Sequence, residues 1–256
     1  MRVLVTNDDG VMAPGIAALA RAMTTTEHDV VVAAPHEDMT GYGAAIGSFH
    51  VDGSIDVKQV ELEGLEDVPC YSVTGPPALA VMAARLGGFG GLPDLVVSGI
   101  NPGANTGRAT LHSGTVGAVL TGANFGVSGL AVSIDIGDEL HWDTAGTLAV
   151  HALEWLVEQP AKTVLNLNVP NVPIDELRGV RWARLAPFGT ARAHLIESPS
   201  GALQMELRPH GEVLPADSDT ALVREGFATV TSIVGIRATD PIGVAEHIAA
   251  RLERTG

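Results

Sequence analysis

Over its first 170 or so residues the chain alternates short apolar runs with segments of helical period, and this rhythm limits the folds open to it. Val3–Thr6 predicts a strand, Pro14–Met23 a helix with proline in its first turn, and Asp29–Ala34 a second strand. Pro77–Leu86 then reads as a helix, Asp94–Ser98 as a strand, Gly114–Ala123 as a helix and Gly129–Ile134 as a strand. Thr144–Val157 is a long amphipathic helix, followed by a strand at Thr163–Val169. Strands that are apolar almost without interruption are buried on both faces. The pattern therefore predicts an α/β fold, a doubly wound and mainly parallel sheet with helices on both sides, over residues 1–170. Beyond Asn171 the texture changes. Pro173, Pro187, Pro199, Pro209 and Pro215 punctuate short alternating segments, of which Ala202–Arg208 and Ala228–Ile233 read as antiparallel hairpins. With a last helix at Pro241–Arg254, residues 171–256 are expected to form a hairpin arm that completes the fold and mediates homo-oligomerisation.

Composition narrows the partners. Thirty acidic residues face fifteen basic ones, for a net charge of −15, and Lys58 and Lys162 are the only lysines. Such a surface repels polyanions, so neither a nucleic-acid polymer nor an anionic membrane is an expected partner. Cys70 is the single cysteine, which excludes an intrachain disulfide and a cysteine-based zinc site and suits a reducing compartment. Met1–Asp8 turns polar after three apolar residues, and no run approaches the roughly 20 apolar residues of a membrane span. A cytoplasmic, membrane-free protein is the expectation.

Three segments could carry chemistry. Asn7-Asp8-Asp9-Gly10 directly follows the first strand, where a doubly wound sheet binds its ligands. Adjacent carboxylates repel one another, and a hard dication such as Mg²⁺ or Mn²⁺ would hold both ionised; the plain alternative is a turn made of good turn residues. The second segment, Ser98–Gly117, leaves a strand, crosses a Gly/Asn loop and enters a helix near Ser113. Between Leu95 and Ile134 its sole charge is Arg108. Glycine-loop amides and a helix N-terminus suit a phosphate, with Ser113 as N-cap and Thr115 offering a second hydroxyl. Asn101 and Asn105 supply neutral oxygens that suit a metal already bearing two carboxylates. A merely structural loop is the alternative. The third segment, Ala34–Gly43, has Gly41 and Gly43 but a misplaced third glycine, so a dinucleotide fingerprint is not supported. No phosphate-loop lysine motif and no Gly-x-Ser-x-Gly elbow occurs, and the nine histidines show no metal spacing.

The ordered motifs resemble the SurE family, the stationary-phase survival nucleotidases. Those matching are Asn7-Asp8-Asp9-Gly10 with Ala13-Pro14-Gly15-Ile16, Val96–Asn105, Ser113–Ala118, Leu130–Ser133 and Leu167–Pro170, with fainter echoes at Asp219–Ala221 and Gly226–Thr231. The resemblance implies a Rossmann-like core and a metal-dependent phosphomonoesterase acting on nucleoside monophosphates, in dimers or tetramers that exchange the C-terminal arm. Carried over by motif, one divalent cation per subunit, Mg or Mn, would be held by Asp8, Asp9, Thr40 and Asn101, with threonine standing where the family has serine. Asp8 and Asp9 would be catalytic, Asp8 as nucleophile or as ligand and water-orienting base. Asn105, Arg108, Ser113, Gly114 and Thr115 would bind the phosphate or substrate. Departures at 36–45 and at Gly75–Val81 leave a second reading open, a phosphatase for a sugar or nucleoside-like pathway intermediate, and a non-catalytic binding protein stands as a third.

Overall fold

The computed structural model describes residues 1–47, 53–188, 191–197, 203–209, 213–238 and 243–252. In chain order the elements are β1 (Arg2–Thr6), α1 (Pro14–Thr24), β2 (Asp29–Pro35), β3 (Val57–Val60), β4 (Cys70–Val73), α2 (Pro77–Arg85) and β5 (Leu95–Pro102). A 3₁₀ turn at Gly107–His112 then leads into α3 (Gly114–Asn124), β6 (Ser128–Ile134), α4 (Trp142–Val157) and β7 (Val164–Val169). After these come β8 (Val180–Trp182), β9 (Ala191–Glu197), β10 (Leu203–Pro209), α5 (Asp219–Arg224), β11 (Ala228–Ser232) and α6 (Val244–Leu252).

Among the described residues nine strands form one sheet, in the order β3-β4-β2-β1-β5-β6-β7-β11-β8. From β4 to β7 all pairings are parallel. The anticipated strands and helices of the first 170 residues are present, each within two residues of its expected bounds except β5, which runs four residues past Ser98 to Pro102. One face of the sheet packs on α1 and α4 through Ile16, Leu19, Met23, Ala149 and Leu153; the other packs on α2 and α3 through Val81, Ala84, Val116 and Val119. This is the doubly wound arrangement. The chain runs outward from β1 to β2 on one side and returns to β5 on the other, so the switch point lies between the carboxyl ends of β1 and β5. Ligand crevices in such sheets open there.

The C-terminal third differs from expectation: it holds a strand, β8, and a helix, α5, that are not among the expected elements, and its last strand pairs differently. Ala228–Ser232 is not part of a hairpin: β11 pairs antiparallel with β7 and parallel with β8, extending the main sheet. The alternation of its sequence fits any strand and does not encode its neighbour; in the sheet Ala228, Thr229 and Thr231 are all buried. The other hairpin stands as β9 and β10, paired antiparallel from Ala191↔Pro209 to Glu197↔Leu203. Ala202, Pro241 and Arg254, the outer ends of two expected elements, lie outside the described residues. No described helix is long and apolar enough to cross a membrane.

Candidate functional site

The turn after β1 is fixed by its own backbone and by its neighbours. Asn7 Nδ2 donates to the Gly10 carbonyl at 3.0 Å, and Ala13 N donates to the same carbonyl at 3.0 Å. Met39 N reaches the Asp8 carbonyl at 2.7 Å and Val11 N the Pro35 carbonyl at 2.7 Å, so the loops after β1 and β2 are joined main chain to main chain. This places the third sequence segment beside the first. It also presents two adjacent carboxylates whose surroundings differ.

Asp8 is buried and fully engaged. Its Oδ1 accepts the Thr115 hydroxyl at 2.6 Å and its Oδ2 accepts Gly114 N at 3.1 Å. The first turn of α3 thus already holds an anion, the Asp8 carboxylate, as the positive end of a helix favours. Burial still raises the Asp8 pKa, against the lowering effect of these donors. Gly114 has to be glycine for this contact, because a Cβ there would lie 2.7 Å from Asp8 Cβ and Oδ2. Ser113 caps the helix as expected, its Oγ accepting Val116 N at 3.2 Å, a contact worth about 1 kcal/mol to a helix. The hydroxyl of Thr115, expected on a phosphate, is instead donated to Asp8.

Asp9 is the opposite case. Its Oδ2 is buried with no hydrogen-bond partner among the described residues. Burial first, then the charges of Asp8 and Asp38, push its carboxyl up to about 7. A carboxylate oxygen desolvated beside two like charges is costly unless a cation faces it. Thr40 is exposed and donates its hydroxyl to Asp38 Oδ1 at 2.5 Å, while Thr40 N donates to the same oxygen at 2.8 Å. Its oxygen keeps a lone pair for a further acceptor role. At the end of β5, Asn101 Nδ2 donates to the Gly103 carbonyl at 2.6 Å, which leaves Oδ1 as the free acceptor. The β5–β6 register shifts between Ser98 and Asn101, and Gly99 within this shift has φ +134°. A side chain at Gly99 would meet the Val132 carbonyl oxygen at 2.2 Å. Among the described residues no group of three or more His, Cys, Asp or Glu side chains could hold a metal. The donors on offer are two carboxylates with neutral oxygens, and the orphaned Asp9 Oδ2 is where a hard cation would satisfy the site.

The remaining candidates divide between ligand and scaffold. Arg108 is exposed on the 3₁₀ turn just ahead of Ser113. Asn105 is turned to the sheet: its Nδ2 donates to Ser133 Oγ at 3.0 Å, and its carbonyl accepts Asn166 Nδ2 at 2.8 Å and Asn168 Nδ2 at 3.1 Å. Three contributors escape a reading of the sequence alone. Asp38 orients Thr40 and adds its charge to Asp9, while Asn166 and Asn168 hold the loop after β5. Asp38 carries a local signal, an Asp two residues ahead of the backbone N–H it accepts, whereas the asparagines are 61 and 63 residues from Asn105.

The chain is similar to known proteins along most of its length. The family model described as Survival protein SurE matches residues 3–191. A relative named 5'-nucleotidase SurE, from Legionella pneumophila (strain Corby), is 35% identical over 239 residues, covering 91% of this chain and 90% of its own. One named 5'/3'-nucleotidase SurE, from Erwinia tasmaniensis, is 34% identical over 245 residues with the same coverage. The crystal structure of SurE from Aquifex aeolicus superposes with a TM-score of 0.80 at 25% identity, over 97% of this chain and all of that one. A shared fold, a family model matched from the first strand onward and relatives matched nearly end to end lead to one conclusion: the chain belongs to the SurE family.

Proposed function

We propose that the protein is a metal-dependent nucleotidase, which adds water to a nucleoside monophosphate and releases nucleoside and inorganic phosphate. The observation that carries this is the pair Asp8 and Asp9, one carboxylate tied on both oxygens and its half-buried neighbour with one buried oxygen that has no partner among the described residues. Asp8, Asp9, Thr40 and Asn101 would hold a single Mg²⁺ or Mn²⁺. Such an ion supplies Lewis acidity toward water and charge neutralisation toward phosphate. Asp8 is the positioned member of the pair, locked by Gly114 and Thr115, which suits an orienting role. Asp9 carries the open oxygen. Ser113 accepts from its own helix and keeps its hydroxyl proton for a phosphate oxygen, and Arg108 is the side chain able to meet the dianion's remaining charge. The nucleotidase names of relatives matched over nine-tenths of the chain favour nucleotides over the sugar-phosphate alternative.

The test is phosphate release from nucleoside monophosphates, with chelator and with each dication in turn. Chelator should abolish turnover, Mg²⁺ or Mn²⁺ should restore it, and Asp8→Asn should lower kcat/KM by about 10³-fold. Full metal-dependent turnover by Asp8→Asn would refute the assignment. Assembly belongs to the same reading. On the β9–β10 hairpin Leu195 and Met205 form a cross-strand pair and are 69% and 74% exposed, a surface suited to exchange between subunits of a homodimer or homotetramer. Light scattering should show more than one subunit per particle, and a monomer at micromolar concentration would overturn the exchange.

A further inference from the structure

Asp219 opens α5 and is completely buried, yet its carboxylate meets backbone amides rather than a cation. Oδ1 accepts Ala186 N at 2.9 Å and Thr220 N at 2.8 Å, while Oδ2 accepts Gly107 N at 2.8 Å, across 112 residues of chain. Burial raises its pKa while these donors lower it. Both oxygens are needed as acceptors, which explains why a carboxylate stands where an amide would bring a donor to one side. The hydrogen bonds then run toward the candidate site. The Gly107 carbonyl accepts the Thr110 hydroxyl at 2.9 Å, the Thr110 carbonyl accepts Ser113 N at 3.2 Å, and Ser113 caps the helix that holds Asp8. Gly107 is buried, whereas the next residue, Arg108, is exposed and is the one charge between Leu95 and Ile134.

We infer that Asp219 is a positioning residue for substrate binding: by anchoring Gly107 it fixes the direction in which Arg108 meets the phosphate. This rests on the phosphatase reading of the site. The C-terminal part of the chain thereby sets the geometry of a phosphate contact made in the N-terminal part. Asp219→Asn is the selective change, because the amide retains one acceptor oxygen and loses the other.

The experiment is a double-mutant cycle of Asp219→Asn and Arg108→Ala, by steady-state kinetics on a nucleoside monophosphate well below each variant's Tm. Either single change should raise KM by about tenfold with kcat altered little, since each removes one charge-assisted contact. The double variant should be no worse than Arg108→Ala alone, because the two act through one contact. Thr110→Val, which cuts the next link without touching Asp219, should raise KM by a smaller factor of about three and supplies the test should Asp219→Asn not fold. Amide exchange at Gly107 should accelerate in Asp219→Asn. Multiplicative KM effects, or a lowered Tm with KM unchanged, would show that Asp219 is only structural. An active wild type in which Arg108→Ala leaves KM unchanged also overturns the inference. A wild type that releases phosphate from no monoester refutes the underlying reading and this one with it.

Discussion

The two faces of the sheet are built from the same strands and differ along their length. Under α1 and α4 the surface is apolar from end to end, through Val3 and Val5 of β1, Val97 of β5, Leu130, Val132 and Ile134 of β6, and Leu165, Leu167 and Val169 of β7. Under α2 and α3 it starts apolar, with Leu4, Val31, Val96 and Val164, and turns polar toward the carboxyl ends. Alternation along the strands puts Thr6, Ser98, Ser133, Asn166 and Asn168 on this second face, all fully buried. Several of their oxygens, including Thr6 Oγ1, Ser98 Oγ and Asn166 Oδ1, have no partner among the described residues. Orphaned buried polar atoms cost about 1–3 kcal/mol each and are filled in solution by water or ligand. One face therefore supplies stability, and the other gives up part of it to support the loop that carries Asn101, Asn105 and Arg108.

That contrast breaks most visibly at Leu130. The side chain is fully buried in the middle of the apolar face, on a central strand. Leu130→Ala should cost about 3 kcal/mol of unfolding free energy, from lost burial and the cavity left behind. The fraction that stays folded should keep the wild-type KM. Asn168→Ala, on the polar face of the neighbouring strand, should do the reverse, costing about 1 kcal/mol while raising KM, since it removes one of the two side-chain donors that hold the Asn105 carbonyl. Denaturant titration alongside kinetics separates the two. A Leu130→Ala enzyme with impaired KM and an Asn168→Ala enzyme without would contradict the division of labour.

The same contrast explains which parts were legible in the sequence. Strands β1, β2, β5, β6 and β7 show as apolar runs because both their faces are covered. β3 and β8 are three or four residues long and mostly exposed at the sheet edges, so they carry no such run. Asp8, Asp9 and Ser113 are readable because position alone, a strand's carboxyl end or a helix start, assigns them a chemistry. What Thr115 does is not readable from position: its hydroxyl goes to a carboxylate 107 residues away, within the same cluster where a phosphate was anticipated. Asp219 and the two asparagines leave no periodic signal, because one polar side chain meeting a distant backbone group repeats nothing along the chain.

A smaller effect sharpens the comparison at the pair Asp8 and Asp9, where the polar face concentrates its cost. Without a metal ion, Asp9 holds its proton up to about pH 7 in the folded protein, against 3.8 in its ordinary state. The folded state therefore binds more protons than the unfolded chain between these values, and stability falls as pH rises through that window. A dication needs the deprotonated carboxylates, so it competes with protons at low pH and offsets their repulsion at high pH. At a concentration about 100-fold above its Kd an ion contributes about 2.7 kcal/mol, or roughly 5–10 °C in Tm for a chain of this size. Thermal unfolding with chelator and with Mg²⁺ or Mn²⁺ should show that increment near pH 8 and little of it near pH 5. In Asp9→Asn the chelated protein should be more stable than the chelated wild type at about pH 8, with a flatter pH dependence and no gain from the ion. Equal increments at both pH values, or a chelated wild type that gains stability as pH rises across this range, would mean that the orphaned oxygen of Asp9 is not where the cation acts.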